Sequence, residues 1–219
     1  MSGAVRLAVF DCDGTLVDGQ HEICAAMDEA FLTLGLRPPA HGAVRRAVGL
    51  SLPQTMRHLA SEEGIEIQTA LVEAYKQAYR TARAEGRVSE PIFAGIRPLL
   101  DGLREGGWDL GVATGKSMRG LLHCLAVNAL SDHFVTLQTA DNHPSKPHPA
   151  MLQAALDQAM TLPADAVMIG DTTYDITMAR AAGVRAVGVA WGYHPPSELI
   201  AAGAEAVAMT PAELKDILG

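Results

Sequence analysis

The sequence predicts an α/β protein: a doubly wound, Rossmann-like parallel sheet in a three-layer α/β/α core, with an inserted α-helical domain. Three observations carry that reading. Five short β-rich runs are apolar without strict alternation, helical segments separate them, and one long stretch, residues 17–87, holds no strong strand. Runs apolar at successive positions suit strands covered on both faces, as parallel strands are. Strand–helix alternation at this spacing is the pattern of a doubly wound sheet.

The first run is VRLAVF (5–10). After it come HEICAAMDEAFLTLGL, HGAVRRAV, LPQTMRHLASEEG and TALVEAYKQAYRTARAEG, four helical patterns punctuated by Gly35, Pro38, Pro39, Pro53 and Gly64. Roughly 70 residues is far too long for a crossover connection. The economical division is therefore a helical cap domain, 17–87, inserted into a core made of 1–16 and 88–219, above the carboxyl end of the first strand. GIRPLLDGLREGG then spaces Ile96, Leu99, Leu100 and Leu103 along one helical face and stops at Gly106 and Gly107. The second run, DLGVAT (109–114), precedes SMRGLLHCLAVN, which opens on a Ser cap. FVTLQT (134–139) precedes PHPAMLQAALDQAM, with Pro149 near the helix start. AVMIG (166–170) precedes YDITMARAAG, which ends at Gly183, and RAVGVAW (185–191) is the last run. Met27, Met56, Met151 and Met178 read as core filling.

Bulk properties narrow the function classes. Hydrophobic residues make up 48% of the 219, charged residues 19% and aromatics 5%, which is the composition of a globular chain rather than a disordered one. The formal net charge of −8 argues against nucleic-acid or anionic-membrane partners, which need basic stripes. An anionic substrate stays compatible, because a bound cation reverses the local field. No apolar run approaches the ~20 residues of a membrane span, and AVRLAVF is cut off by Asp11 before a signal-peptide core forms. Cys12, Cys24 and Cys124 fit no zinc spacing and read as reduced structural thiols. The expectation is a cytoplasmic protein, a monomer or homodimer.

Ligands of open parallel sheets bind beyond the carboxyl ends of the strands. At those ends FDCDGTLVDG supplies Asp11 and Asp13, ATGKS supplies Thr114 and Gly115, SKPHP supplies Lys146, and GDTTYD supplies Asp171 and Asp175. Two like charges ending an apolar strand repel, and burial raises the cost. A magnesium ion, which takes oxygen ligands, offsets it; with Lys146 it brings four carboxylates within about one charge of neutrality. Taken singly, Asp13-Gly14 also reads as a turn, GDTTYD as a helix cap and Lys146 as a solvated lysine. His143 and His148 flank Lys146 without the spacing of a helical metal pair and read as surface or capping residues.

The ordered set DCDGTLVD, VATGK, SKPHP and IGDTTYDITMARAAG resembles the haloacid dehalogenase superfamily of hydrolases across nearly the whole chain. The helical insertion is similar to that of its α-capped subclass, and the tail GVAWGYHPPSELIAAGAEAVAMTPAEL is most similar to the phosphoglycolate-phosphatase-like branch. The resemblance implies a Mg²⁺-dependent phosphatase acting on a small phosphorylated metabolite, phosphoglycolate or a sugar phosphate, through an aspartyl-phosphate. Asp11 would be the nucleophile, which splits one hard displacement into two. Asp13 would be the general acid and base, a role worth roughly 10²–10⁴-fold. Thr114 and Gly115 would donate to phosphoryl oxygens at a helix start, and Lys146 would neutralise charge on the transferring group. The family pattern makes Asp11, Asp171 and the Asp13 carbonyl metal ligands, with Asp175 acting directly or through water. Gly115 stands where many relatives carry Asn, and Gly19 where Ser is common.

Other readings are weaker. GVATGKS lacks the P-loop spacing, since position 110 is Leu. A phospho-receiver module would be shorter and would carry its reactive Asp after strand three. A dehalogenase would not need Asp13, whereas a phosphomutase of the β-phosphoglucomutase type remains an alternative that the cap decides. Arg45 and Arg46 are candidate substrate contacts from the cap, as are Lys76 and Arg80, while Trp191, Tyr193 and His194 are candidates for the rim. Cap hinges are expected near Asp18–Gly19 and Gly86–Glu90.

Overall fold

RLAVF forms strand β1 (Arg6–Phe10) in the computed structural model, which describes residues 6–219; Val5, at the head of the anticipated strand, and the rest of residues 1–5 lie outside the described residues. Side chains alternate across a strand, so Ala8 and Phe10 enter one hydrophobic core while Leu7 and Val9 enter another. All four are fully buried, which explains why the run shows no alternation of polarity.

The chain then leaves the sheet for four helices, α1 (Gln20–Thr33), α2 (His41–Ala47), α3 (Leu52–Leu59) and α4 (Ile65–Ala84). Their apolar faces meet in a core of their own, built on Met27, Phe31, Val44, Met56 and Leu71. The path back runs beside the path out. Asp18 N donates to Pro91 O at 2.9 Å and Phe93 N to Leu16 O at 3.1 Å, so residues 16–18 and 91–93 form a short two-stranded stem.

Beyond the stem the alternation resumes with α5 (Ile96–Glu105), β2 (Trp108–Thr114), α6 (Met118–Val127), β3 (Thr136–Thr139) and α7 (Ala150–Ala159). It ends with β4 (Ala166–Gly170), α8 (Thr173–Ala181), β5 (Arg185–Val189), α9 (Pro196–Ala202), β6 (Ala206–Ala208) and α10 (Pro211–Leu218). Helix α5 buries Ile96, Leu99, Leu100 and Leu103, the face its spacing predicts. Ser117 Oγ caps α6 by accepting from Gly120 N at 3.2 Å. Strand β3 starts two residues later than its apolar run, after a 3₁₀ turn at Ser131–His133. The elements α9, β6 and α10 were not anticipated.

Among the described residues the six strands are parallel, in the order β3-β2-β1-β4-β5-β6. This is the expected doubly wound sheet. The winding reverses between β1 and β4, and that reversal opens a crevice beyond their carboxyl ends. The four methionines singled out above are buried to 1% exposure or less. The three cysteines are free and buried. No helix among the described residues is long and apolar enough to cross a membrane.

Candidate active site

Register places the acidic residues. Phe10 pairs with Ile169 across β1 and β4, and Asp11 N continues the ladder to Ile169 O at 2.9 Å. Asp11 and Asp171 therefore leave adjacent strands side by side at the winding reversal. One oxygen from each of Asp11, Asp171 and Asp175 lies within 4.8 Å of the others, and all three residues are buried. Asp171 is braced by Thr15 Oγ1 at 2.8 Å and by Tyr193 N at 2.9 Å. Asp175 caps α8, with Thr172 N and Oγ1 donating to its Oδ2 at 3.1 and 2.7 Å, and Lys146 Nζ reaches its Oδ1 at 2.6 Å. Gly14 has φ 84°, and a Cβ there would stand 2.2 Å from Asp171 Oδ2. Only glycine lets the chain turn away from β1 without displacing that carboxylate.

Asp11 is the exception in this cluster. Lys146 Nζ lies 2.9 Å from Asp11 Oδ1, but off the hydrogen-bonding direction, and neither oxygen has an aligned donor. Burial drives the Asp11 carboxyl from 3.8 up to about 7, against the pull of Lys146. Burial likewise lifts Asp171 well above the carboxylate range, helped by the charges of Asp11 and Asp175. For Lys146, burial alone would lower the ammonium, but Asp11 and Asp175 outweigh it and hold it charged. Three buried carboxylates, each with an oxygen within 4.8 Å of the others and one with both oxygens unpartnered, form a hard oxygen donor set. A divalent cation such as Mg²⁺ fits there.

A second lysine completes the site. Lys116 Nζ contacts Asp13 Oδ1 at 3.0 Å and Glu90 Oε1 at 2.7 Å, and Tyr79 OH donates to the same Glu90 oxygen at 2.6 Å. Lys116 and Glu90 were not anticipated; GKS drew attention only as a failed P-loop, although its lysine directly follows Gly115. The added carboxylate and added lysine cancel, so the charge balance drawn from sequence survives. Burial raises Asp13 above its ordinary value even with Lys116 beside it. Glu90 stays below its own despite burial, because Lys116 and Tyr79 favour its anion. Of the two acids sharing Lys116, Asp13 is therefore the more readily protonated.

Thr114 is buried at the end of β2, and its Oγ1 accepts from Lys116 N at 3.2 Å. Facing it, the α2–α3 loop comes down onto Gly115. A Cβ on Gly115 would lie 2.4 Å from Leu50 O and 2.8 Å from Gly49 O. The glycine in place of the usual Asn thus makes room for a backbone. Gly19, the other departure, has space for a Cβ only 3.0 Å from Asp13 Oδ1. A cavity of about 580 Å³ lies between the strand ends and the helical insertion, lined by Asp11, Asp13, Thr114, Gly115 and Lys116 below and by residues of α1 to α4 above.

Arg45 and Arg46 do not line this cavity, which corrects their expected role. Arg45 borders a separate surface hollow near Asp18 and His41. Arg46 is turned to α9, where it forms an exposed ion pair with Glu198 at 2.7 Å. Helix α2 presents Val44 and Val48 to the cavity, and the arginines one and two residues on from Val44 point elsewhere by helical geometry. Lys76 and Arg80, one helix further along, do line it. Trp191 donates to Thr15 O at 3.0 Å, and His194 bridges Thr173 N and Arg46 O at 3.2 and 3.1 Å. These aromatic residues brace the Asp171 loop and do not line the cavity. His148 Nδ1 accepts from Ala150 N at 3.2 Å, and His143 contacts Gln138 Oε1 at 2.9 Å, the capping and surface roles expected.

Residues 8–189 match the family described as haloacid dehalogenase-like hydrolase. The chain is 35% identical to the probable phosphatase IndB of Dickeya dadantii over 95% of this chain and 91% of that protein. It is 33% identical to the phosphoglycolate phosphatase of Pseudomonas putida over 86% of this chain and 71% of that one. A solved hydrolase from Pseudomonas syringae superposes with a TM-score of 0.85 at 26% identity, covering 97% of each chain.

Proposed function

The chain belongs to the haloacid dehalogenase-like hydrolases and is a phosphatase; from that premise we propose that it hydrolyses a small-molecule phosphomonoester through an aspartyl-phosphate, with Mg²⁺ as cofactor. The observation that carries this reading is Asp11: a fully buried carboxylate with two unpartnered oxygens, at the winding reversal and inside a charged cavity. Such a group is expensive to keep, and nucleophilic attack on phosphorus uses the feature that makes it so.

In this reading an Asp11 oxygen forms the new P–O bond while the ester oxygen leaves and takes a proton from Asp13. Asp13, now ionised, removes a proton from water as that water attacks phosphorus, and the Asp11 carboxylate is regenerated. Thr114 Oγ1, Gly115 N and Lys146 Nζ receive the phosphoryl oxygens, and Lys146 also favours the Asp11 anion against the effect of burial. Asp11, Asp171 and the Asp13 carbonyl would hold Mg²⁺, with Asp175 fixing the arrangement through Lys146. When bound, the ion neutralises charge on the carboxylates and the phosphoryl group. Residues 17–87 serve as a cap that closes over the ester and excludes water.

The test is a panel of phosphomonoesters turned over with Mg²⁺ and with EDTA, alongside Asp11→Asn. The expected outcome is release of phosphate only with the metal, and none from the variant. Full turnover in EDTA would remove the cofactor assignment, and turnover by Asp11→Asn would remove the nucleophile.

A further inference from the structure

The cavity holds evidence about the leaving group, and the inference drawn from it rests on the phosphatase reading above. Its floor carries the buried charged residues, and one side of its upper wall is apolar, with Lys76, Arg80 and Arg83 of α4 and Arg119 of α6 at the rim. Ile23 and Met27 of α1, Val44 and Val48 around the end of α2, and Tyr75 and Tyr79 of α4 all face it. The two tyrosine rings lie 5.8 Å apart between centroids, tilted by 33°. A volume of about 580 Å³ falls in the middle of the roughly 300–1,000 Å³ range of pockets that enclose drug-sized molecules. Phosphoglycolate has about nine heavy atoms; allowing each a water's share of roughly 30 Å³ fills less than half of that space.

Most of the cations around the cavity are already engaged; Arg83 and Arg119 are the exceptions. The two buried lysines are committed, Lys146 to Asp11 and Asp175, and Lys116 to Asp13 and Glu90. At the rim Lys76 is paired with Glu73 at 2.7 Å, and Arg80 donates to Gln77 at 3.0 Å. Arg83 lies over the Tyr79 ring, 5.6 Å from its centroid, with its Nε unpartnered. A carboxylate set against Ile23, Met27, Val44, Val48 and the tyrosine rings would lose its hydration with no partner on that wall. An aromatic ring in the same place would bury apolar surface against methionine, valine and tyrosine.

We propose that the leaving group of the physiological substrate carries an aromatic ring, seated between the apolar faces of α1, α2 and α4, and that Tyr75 and Met27 determine this specificity. Arg83 Nε is placed to take a polar substituent on the ring.

The test compares benzyl phosphate with phosphoglycolate, both primary CH₂–O–P esters, so that leaving-group chemistry differs little. With Mg²⁺ present, kcat/KM for benzyl phosphate should exceed that for phosphoglycolate by about tenfold or more, the scale on which apolar pockets discriminate. Tyr75→Ala and Met27→Ala should each reduce the ratio of the two kcat/KM values, chiefly by raising KM for benzyl phosphate. Circular dichroism and melting temperature establish that each variant is folded, and Met27→Leu, which keeps the volume, should restore the ratio. A kcat/KM for phosphoglycolate equal to or above that for benzyl phosphate overturns the aromatic assignment while leaving the phosphatase intact. Failure to hydrolyse either ester, or any member of the wider panel, overturns the phosphatase reading instead.

Discussion

Lys146 and Lys116 invite comparison, because each is a lysine held between two carboxylates beside the same cavity. Lys146 joins Asp11 to Asp175 with its side chain wholly buried; Asp11 follows β1, Asp175 lies in the first turn of α8, and Lys146 comes from the β3–α7 loop. Lys116 joins Asp13 to Glu90, retains 11% exposure, and connects through Glu90 to Tyr79 on the helical insertion. The first trio takes no residue from the insertion. The second is extended onto it by a hydrogen bond, the Tyr79 hydroxyl on Glu90. In the proposed mechanism Lys146 would serve the phosphoryl group, and Lys116 would link the acid–base residue to Tyr79 on the insertion through Glu90.

The sharpest way to break this comparison is to remove the lysines one at a time. Lys146→Met should reduce kcat by about 10³-fold, the upper range for loss of one charge-stabilising donor, and Lys146→Arg should not rescue it, because no exposed volume remains around the side chain. Steady-state kinetics on one good ester measures both. If Lys146→Met keeps more than a tenth of the activity, the two lysines do not differ as argued.

Next in size is the effect of pH on cation binding. Asp11 is raised from 3.8 to about 7 in the folded chain, so between those values the folded state holds a proton that the unfolded chain has released. Metal-free stability must then fall as pH rises from about 4 to about 7 and level off above. A cation needs the ionised form, so its apparent affinity should strengthen by about a hundredfold between pH 5 and pH 8. Melting curves with Mg²⁺ and with EDTA across that range should show the larger metal-induced rise at pH 8. An equal rise at pH 5 would mean that Asp11 is not a ligand.

Lys116→Met should have a smaller effect than Lys146→Met, about tenfold on kcat, since it acts through Asp13 and touches no phosphoryl oxygen. Gly115→Asn places a side chain where Leu50 O and Gly49 O now stand. It should raise KM severalfold by holding the α2–α3 loop open, with little change in melting temperature. Arg46→Ala is the smallest change. It removes an exposed pair with Glu198, and KM should stay as it was; a clear rise in KM would return Arg46 to the substrate site.

The contrast between the lysines also explains what was legible. Thr114 ends a strand and Asp11, Asp13, Lys146, Asp171 and Asp175 lie in the segments after strands, and a parallel sheet brings all strand ends to one edge, so naming the strands was enough to gather them. Glu90 follows no strand. It approaches Asp13 because residues 91–93 pair with residues 16–18, a contact across an insertion with no periodicity to announce it. Arg45 and Arg46 looked suitable because they are cations on the insertion, but which face of α2 meets the cavity depends on how the helix docks.

The sequence alone settled the layered architecture, the strand ends that carry charge and the presence of a helical insertion, since all three follow from local periodicity and the geometry of parallel strands. Only the tertiary structure decided which lysine answers which aspartate, why Gly115 has no side chain, and what kind of wall faces the substrate. Those depend on how the helical insertion, with its own hydrophobic core, packs against the strand ends, and short-range spacing along a chain carries no measure of that.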